Sequence, residues 1–175
     1  ATSEEIGAFH RADYVAALDA ADAGRFEPSM IDFGLGTPDC PAFEGVLRLA
    51  SRAAGASLEG ARAIAGGAAH LAFNPIGGFH HAGPATAEGF CYINDVVLAC
   101  AELAESGALV ACLDLDAHHG NGTEAAFLDD RRVLTVSVHQ AGRTLYPWAG
   151  EETELGRGEG RGYNVNLPPP PGAGD

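Results

Sequence analysis

Positive charge is scarce in this chain. Ten lysines and arginines stand against 24 aspartates and glutamates in 175 residues, a formal net charge of −14. Binding to a phosphate backbone needs a basic face, so direct nucleic-acid binding is disfavoured. The same acidity suits a cationic peptide or polyamine drawn by long-range attraction, although solubility accounts for it equally well. Long apolar runs are lacking too. None approaches the length that crosses a bilayer, and none carries a secretory signal pattern, so no membrane partner is expected. There are only four cysteines, Cys40, Cys91, Cys100 and Cys112, and no C-x-x-C pair. Scattered in mostly apolar surroundings, they read as reduced, packed thiols of a cytoplasmic protein. No internal repeat occurs, and nothing in the pattern sets an oligomeric state.

What is present indicates a folded domain. Hydrophobic residues make up 46% of the chain, and 24 glycines point to many tight turns. Thr2 and Glu5 form a capping-box pattern at a helix start. Helical spacing predicts helices over 11–22, 42–54, 57–65, 92–105 and 122–128, with His10 on a helix surface. Residues 23–41 read as a long loop and 74–89 as a glycine-rich one. Strands are expected at 68–73, 108–115, 133–138 and 163–167. Alternating strands and helices imply an α/β fold with a mostly parallel sheet and helices on both faces. In such folds the chemistry lies beyond the carboxyl ends of the strands.

Two segments carry chemistry. An apolar run at 108–113 leads into Asp114, Asp116, His118, His119, Gly120, Asn121 and Gly122. Residues two apart in an extended chain face one side, so Asp114, Asp116 and His118 can turn toward a common point. A carboxylate with an imidazole is a common zinc pair, and a catalytic zinc usually takes a third protein ligand and a water. The second segment is Gly77-Gly78-Phe79-His80-His81-Ala82. Adjacent imidazoles suit proton transfer near a metal-activated water. His119 reads as a support group, and His70 and His139 as structural.

These motifs resemble the histone deacetylase family, including its bacterial acetoin-utilisation and acetylpolyamine amidohydrolase relatives. The likeness also runs through Gly34 to Pro41, through Glu88-Gly89-Phe90-Cys91-Tyr92-Ile93-Asn94-Asp95, through Val133 to His139 and through Gly162 to Asn166. The resemblance implies the arginase/deacetylase-like fold and a metal-dependent hydrolase of acetylated amines, foremost N-acetyl-lysine. It implies Zn2+, with Fe2+ also suited to mixed nitrogen and oxygen ligands, and Asp116 and His118 as two metal ligands. His81 would be the general base and then the proton donor to the leaving amine. His80 would stay charged and stabilise the transition state. Asp114 would partner His80, and Asn121 would partner His81. Asp39, Gly89, Phe90 and Tyr146 match positions that bind substrate in a narrow tunnel, where aromatic faces sandwich an apolar stem. Ser137, with Asp114, Asp116, His118 and Val138, matches a structural potassium site. Phe127, Asp130, Val133 and Tyr163 match a second.

The family's third metal ligand and its transition-state tyrosine have no counterpart here. The chain therefore reads as part of a single deacetylase catalytic domain over 1–175, with N-terminal and C-terminal portions missing. The full parent is expected to be a zinc-dependent amidohydrolase and the isolated chain nearly inactive, since losing one carbonyl donor costs roughly 10²–10³ in rate. A degenerate binding module is the non-catalytic alternative. A two-manganese arginase-like hydrolase ranks lower, because Gly120 stands where that pattern wants an acid. An acetyl-lysine protein and an acetylpolyamine present the same headgroup, so substrate identity is not set.

Asn121 separates this chain from relatives with Asp at that place. An amide orients an imidazole but adds no negative charge, so it raises the ring's proton affinity less. Replacing Asn121→Asp should move the acidic limb of the pH–rate profile to higher pH; an unmoved limb counts against the assignment.

Overall fold

Thr2 opens helix α1 (Ser3–Ile6) through the expected capping box. The Glu5 N–H donates to Thr2 Oγ1 at 3.2 Å, and the Thr2 N–H donates to Glu5 Oε2 at 2.6 Å. The computed structural model describes residues 1–174 and divides into two compact units, Ala1–Leu103 and Ala104–Asp175.

The first unit is helical. Helix α2 (Ala12–Asp22) buries Tyr14, Leu18 and Ala21. The stretch read as one long loop contains a 3-10 helix over Pro28–Phe33. Helix α3 (Val46–Ala65) replaces the two separate helices expected at 42–54 and 57–65. Gly55 lies between those two expected ranges, and glycine costs about 1 kcal/mol in a helix interior. The apolar face of α3 outweighs that cost, since Val46, Ala50, Ala53, Ala54, Leu58 and Ala61 are all buried on it. Helix α4 (Asp95–Glu105) follows the glycine-rich loop. Arg62 of α3 ties the helices by contacting Glu5 at 2.6 Å and Glu102 at 3.2 Å. Ile6, Tyr14, Leu18, Leu35, Ile93 and Leu98 form the heart of the core, where Cys40 and Cys91 pack as free thiols. Burial pushes the Cys40 thiol up to about 11 and Cys91 up to about 12, so both are protonated at neutral pH.

Residues 68–73 do not form the expected strand. Ala68 and Ala69 donate to the Ala63 carbonyl at the end of α3, and Leu71 and Phe73 stand 85% and 87% exposed. An extended run without a hydrogen-bonded neighbour is not a strand, whatever its β-propensity.

The second unit holds a parallel sheet in the order β1-β2-β3, formed by β1 (Val110–Asp114), β2 (Val133–Val138) and β3 (Asn164–Leu167). Helix α5 (Asn121–Phe127) lies between β1 and β2 in the chain. In register, Val110 faces Val133, Asp114 faces Ser137 and Thr135 faces Asn164. Val133, Thr135 and Ser137 of β2 point inward, as do Asn164 and Asn166 of β3. This inner face is therefore mostly polar and must be satisfied by hydrogen bonds.

His10 corrects a surface expectation. It is 2% exposed, and its Nε2 accepts from the Asn94 N–H at 3.0 Å. Burial lowers its pKa from 6.5 to about 4. Between those values the unfolded chain binds a proton that the folded chain refuses, so stability rises with pH across the window. The effect is on the order of 3 kcal/mol at most. Denaturant midpoints measured from about pH 4 to about pH 7 should climb in wild type and climb less in His10→Gln; equal slopes would remove His10 as the cause.

Candidate functional site

In the first unit the tandem histidines are placed by a buried carboxylate at a helix start. Asp95, the first residue of α4, accepts from the Gly78 N–H at 3.0 Å, the Phe79 N–H at 2.8 Å and the Ser57 hydroxyl at 2.5 Å. A negative charge is also favoured at a helix N-terminus. Its neighbour Asn94 donates to the His80 carbonyl at 3.2 Å and the Ala82 carbonyl at 3.1 Å. His80 and His81 are thereby fixed by backbone on both sides, and both are buried. Their Nε2 atoms lie 3.1 Å apart, a distance at which one ring nitrogen must accept while the other donates. That spacing suits proton relay between the two rings.

Of the predicted tunnel residues of this unit, Gly89 packs against His81, and Asp39 and Phe90 adjoin Gly89. A Cβ on Gly89 would sit 2.2 Å from His81 Cδ2, and the residue has φ +54°, so only glycine fits. Asp39 Oδ2 accepts from the Gly89 N–H at 2.7 Å. One carboxylate oxygen of the expected rim acid is therefore engaged in holding this turn. Phe90 follows with φ 66°, a conformation that costs a bulky residue energy and that clusters at functional sites. The residue is 70% exposed, so Phe90 is not a core aromatic.

In the second unit the acid–imidazole grip forms on the loop after β1. Asp114 Oδ1 accepts from the Asp116 N–H at 3.0 Å, and Asp116 Oδ1 accepts from the His118 N–H at 2.8 Å. These turns bring Asp116 Oδ1 to 2.9 Å from His118 Nδ1, with both side chains about half exposed. Tyr146 stands edge-on to the His118 ring at 6.2 Å. Asn121 begins α5, and its N–H donates to the His119 carbonyl at 2.9 Å.

Ser137 lies beside Asp114 in the β1–β2 register, with Val138 next along β2. His139 Nε2 donates to the Gly150 carbonyl at 3.0 Å, so its Nδ1 accepts from the Ser137 hydroxyl at 2.8 Å. Burial lowers the His139 pKa and keeps the ring neutral, consistent with that arrangement. The Ser137 oxygen keeps its lone pairs for another partner.

Among the described residues, no group of three or more His, Cys, Asp or Glu is placed to hold a metal ion. Asp116 and His118 fit the role of two ligands rather than a full set. They present an oxygen and a nitrogen donor side by side at a solvent-accessible loop, the donor types that zinc and ferrous iron accept.

Several structurally decisive residues carried no assigned role in the sequence reading. Asp95 and Asn94 sit inside a recognised motif, and an acid opening a helix after a glycine-rich loop was the available signal. Glu124, Asn164 and Asn166 gave no such signal, because they meet only through the tertiary fold. Glu124 Oε2 accepts from His119 Nε2 at 3.1 Å, Asn164 Nδ2 at 2.7 Å and Asn166 Nδ2 at 2.6 Å.

The histone deacetylase domain matches the chain over residues 1–175. Histone deacetylase 8 of Xenopus tropicalis is 39% identical over 170 residues, covering 96% of this chain and 46% of that protein. Histone deacetylase RPD3 of Saccharomyces cerevisiae is 39% identical over 171 residues, covering 96% of this chain and 39% of its own length. The chain thus spans less than half the length of these relatives. The crystal structure of an HDAC homolog from Aquifex aeolicus superposes with a TM-score of 0.90 at 35% identity, covering 97% of this chain and 46% of that one. The structure of an HDAC homolog complexed with SAHA gives a TM-score of 0.88 at 35% identity.

Gly89→Ala should displace the His81 ring and strain the turn. We expect at least a roughly 100-fold loss of turnover in the whole protein, as a displacement of about 1 Å can cause, with the fold retained by circular dichroism. Near-normal turnover would show that the His81–Gly89 contact does not matter.

Proposed function

The chain belongs to the histone deacetylase domain family, and on that basis we propose that the protein it represents hydrolyses N-acetyl-lysine amides with a bound Zn2+. The observation that carries the reading is the buried His80–His81 pair with its 3.1 Å Nε2–Nε2 separation. Paired imidazoles so fixed can take a proton from water and return it to a leaving amine.

The roles follow from each residue's chemistry. Asp116 and His118 hold the cation, with Fe2+ as the alternative metal. That cation would supply Lewis-acid polarisation of the acetyl carbonyl and activation of a water. His81, whose ring packs on Gly89, acts as base and then acid. His80 supplies positive charge to the transition state. Asp114 and Asn121 have the acceptor chemistry that orients such imidazoles, and we include the pairings His80 with Asp114 and His81 with Asn121 in the proposal. Phe90 and Tyr146 offer aromatic faces to an apolar lysine stem and exclude water from it. Asp39 keeps a second carboxylate oxygen for a substrate amide. Ser137, with carbonyls of Asp114, Asp116, His118 and Val138, is the proposed potassium site. The substrate class is an acetyl-lysine peptide or protein, with acetylpolyamine as the second candidate. Its name aside, SAHA bound to a homolog with this fold supports the reading as a ligand of a related site. A cytoplasmic location completes the proposal.

Turnover of an acetyl-lysine peptide and of an acetylpolyamine by the full-length parent tests this. Chelation should abolish activity, Zn2+ should restore it, and His81→Ala should lower kcat by roughly 10²–10⁴. Turnover indifferent to chelation and to His81→Ala would refute the reading; tight ligand binding without turnover would point to the non-catalytic module.

A further inference from the structure

We propose that Glu124 is a positioning residue for the loop that carries Asp116 and His118. Its carboxylate, braced by Asn164 and Asn166 of β3, anchors His119 and thereby sets the direction of the adjoining His118. The inference rests on the metal reading of Asp116 and His118 given above.

The geometry is that of an anchor. Three N–H donors from His119, Asn164 and Asn166 converge on the single oxygen Oε2 of Glu124. Burial acts to raise the Glu124 pKa, but the hydrogen bonds from His119, Asn166 and Asn164 outweigh it and hold the group ionised. Asn164 is fixed in turn, because its Nδ2 also donates to the Glu154 carbonyl at 2.7 Å and its Oδ1 accepts from Thr135 Oγ1 at 2.5 Å. The carboxylate is therefore tied to both β2 and β3.

His119 is held from several sides. It is 1% exposed, its ring lies 4.6 Å from that of His139, and a Cβ on Gly150 would meet its Cγ at 2.6 Å. Its backbone continues the connection. The His119 carbonyl accepts from the Asn121 N–H at 2.9 Å, and the Gly120 carbonyl accepts from the Glu124 N–H at 2.9 Å. The loop is thus fastened at one end by the Asp114 turn onto the Asp116 N–H and at the other by His119. His118 lies between these two fixed points and adjoins the second.

The arrangement is poorly suited to stability alone. His119 Nε2 donates to the carboxylate, while its Nδ1 is buried without a hydrogen-bond partner. An apolar side chain of similar size would fill the same space without that unpaired atom. What it would lose is the directional tie from ring to carboxylate. Groups that orient metal ligands from behind do so through such ties.

The test is a Co2+ titration of the whole protein, followed by visible absorption, for wild type, Glu124→Gln and Glu124→Ala. Thermal melts identify the temperature at which each is folded, and hydrogen exchange is measured over residues 115–120. Glu124→Ala should weaken Co2+ binding roughly 10- to 100-fold and raise exchange across the loop. Glu124→Gln should lie between, because an amide oxygen still accepts from His119. Wild-type affinity in folded Glu124→Ala overturns the inference. If Glu124→Ala does not fold, wild-type affinity together with wild-type loop exchange in Glu124→Gln overturns it. A wild-type protein with no affinity for Co2+ overturns the metal reading instead; loop protection lost in Glu124→Ala would then still support the anchor.

Discussion

Two largely buried carboxylates, each met by three donor groups, anchor the segments beside both histidine motifs. Asp95 gathers two backbone N–H groups and a hydroxyl, and so fixes the turn that leads into His80 and His81. Glu124 gathers an imidazole and two amides, and so fixes the segment that begins at His118. A charge removed from water is tolerated only when such partners surround it. The requirement works in reverse as well. Each carboxylate constrains where its donors lie, and among those donors are the Gly78 and Phe79 N–H groups just before His80 and the His119 ring just after His118.

Space is controlled as strictly as charge. Gly89 and Gly150 both have positive φ, and at each a Cβ would strike a histidine ring. The backbone therefore approaches the imidazoles more closely than any other residue allows. Phe90 is held in a left-handed conformation just after the first of these glycines. The residue is 70% exposed there, although a large aromatic is more often buried.

The second unit shows what the chemistry demands of the fold. The inward residues of β2 and β3 include Thr135, Ser137, Asn164 and Asn166, whereas strands of a parallel sheet usually read as apolar runs. Asn164 and Asn166 donate to Glu124, Ser137 donates to His139, and Thr135 donates to Asn164. Apolar side chains appear instead on the outer positions of β1 and the loop after it, where Leu113 and Leu115 are exposed.

Much of this was legible in the amino-acid order. Periodicity located α2, β2 and β3 closely, the Thr2–Glu5 spacing named its own cap, and local spacing foretold the meeting of Asp116 with His118. These depend on neighbours in the chain, which is why pattern suffices. The tertiary structure decided what pattern could not. Whether 68–73 becomes a strand depends on a partner strand, not on its composition. Whether Gly55 breaks a helix depends on how much apolar face is buried around it. His10 looked like a surface residue until a core closed over it. Glu124 acquired its role only because β3, some forty positions further along, delivers two amides to its carboxylate. Local sequence sets torsions and short turns, but burial and convergent hydrogen bonding are properties of the assembled chain.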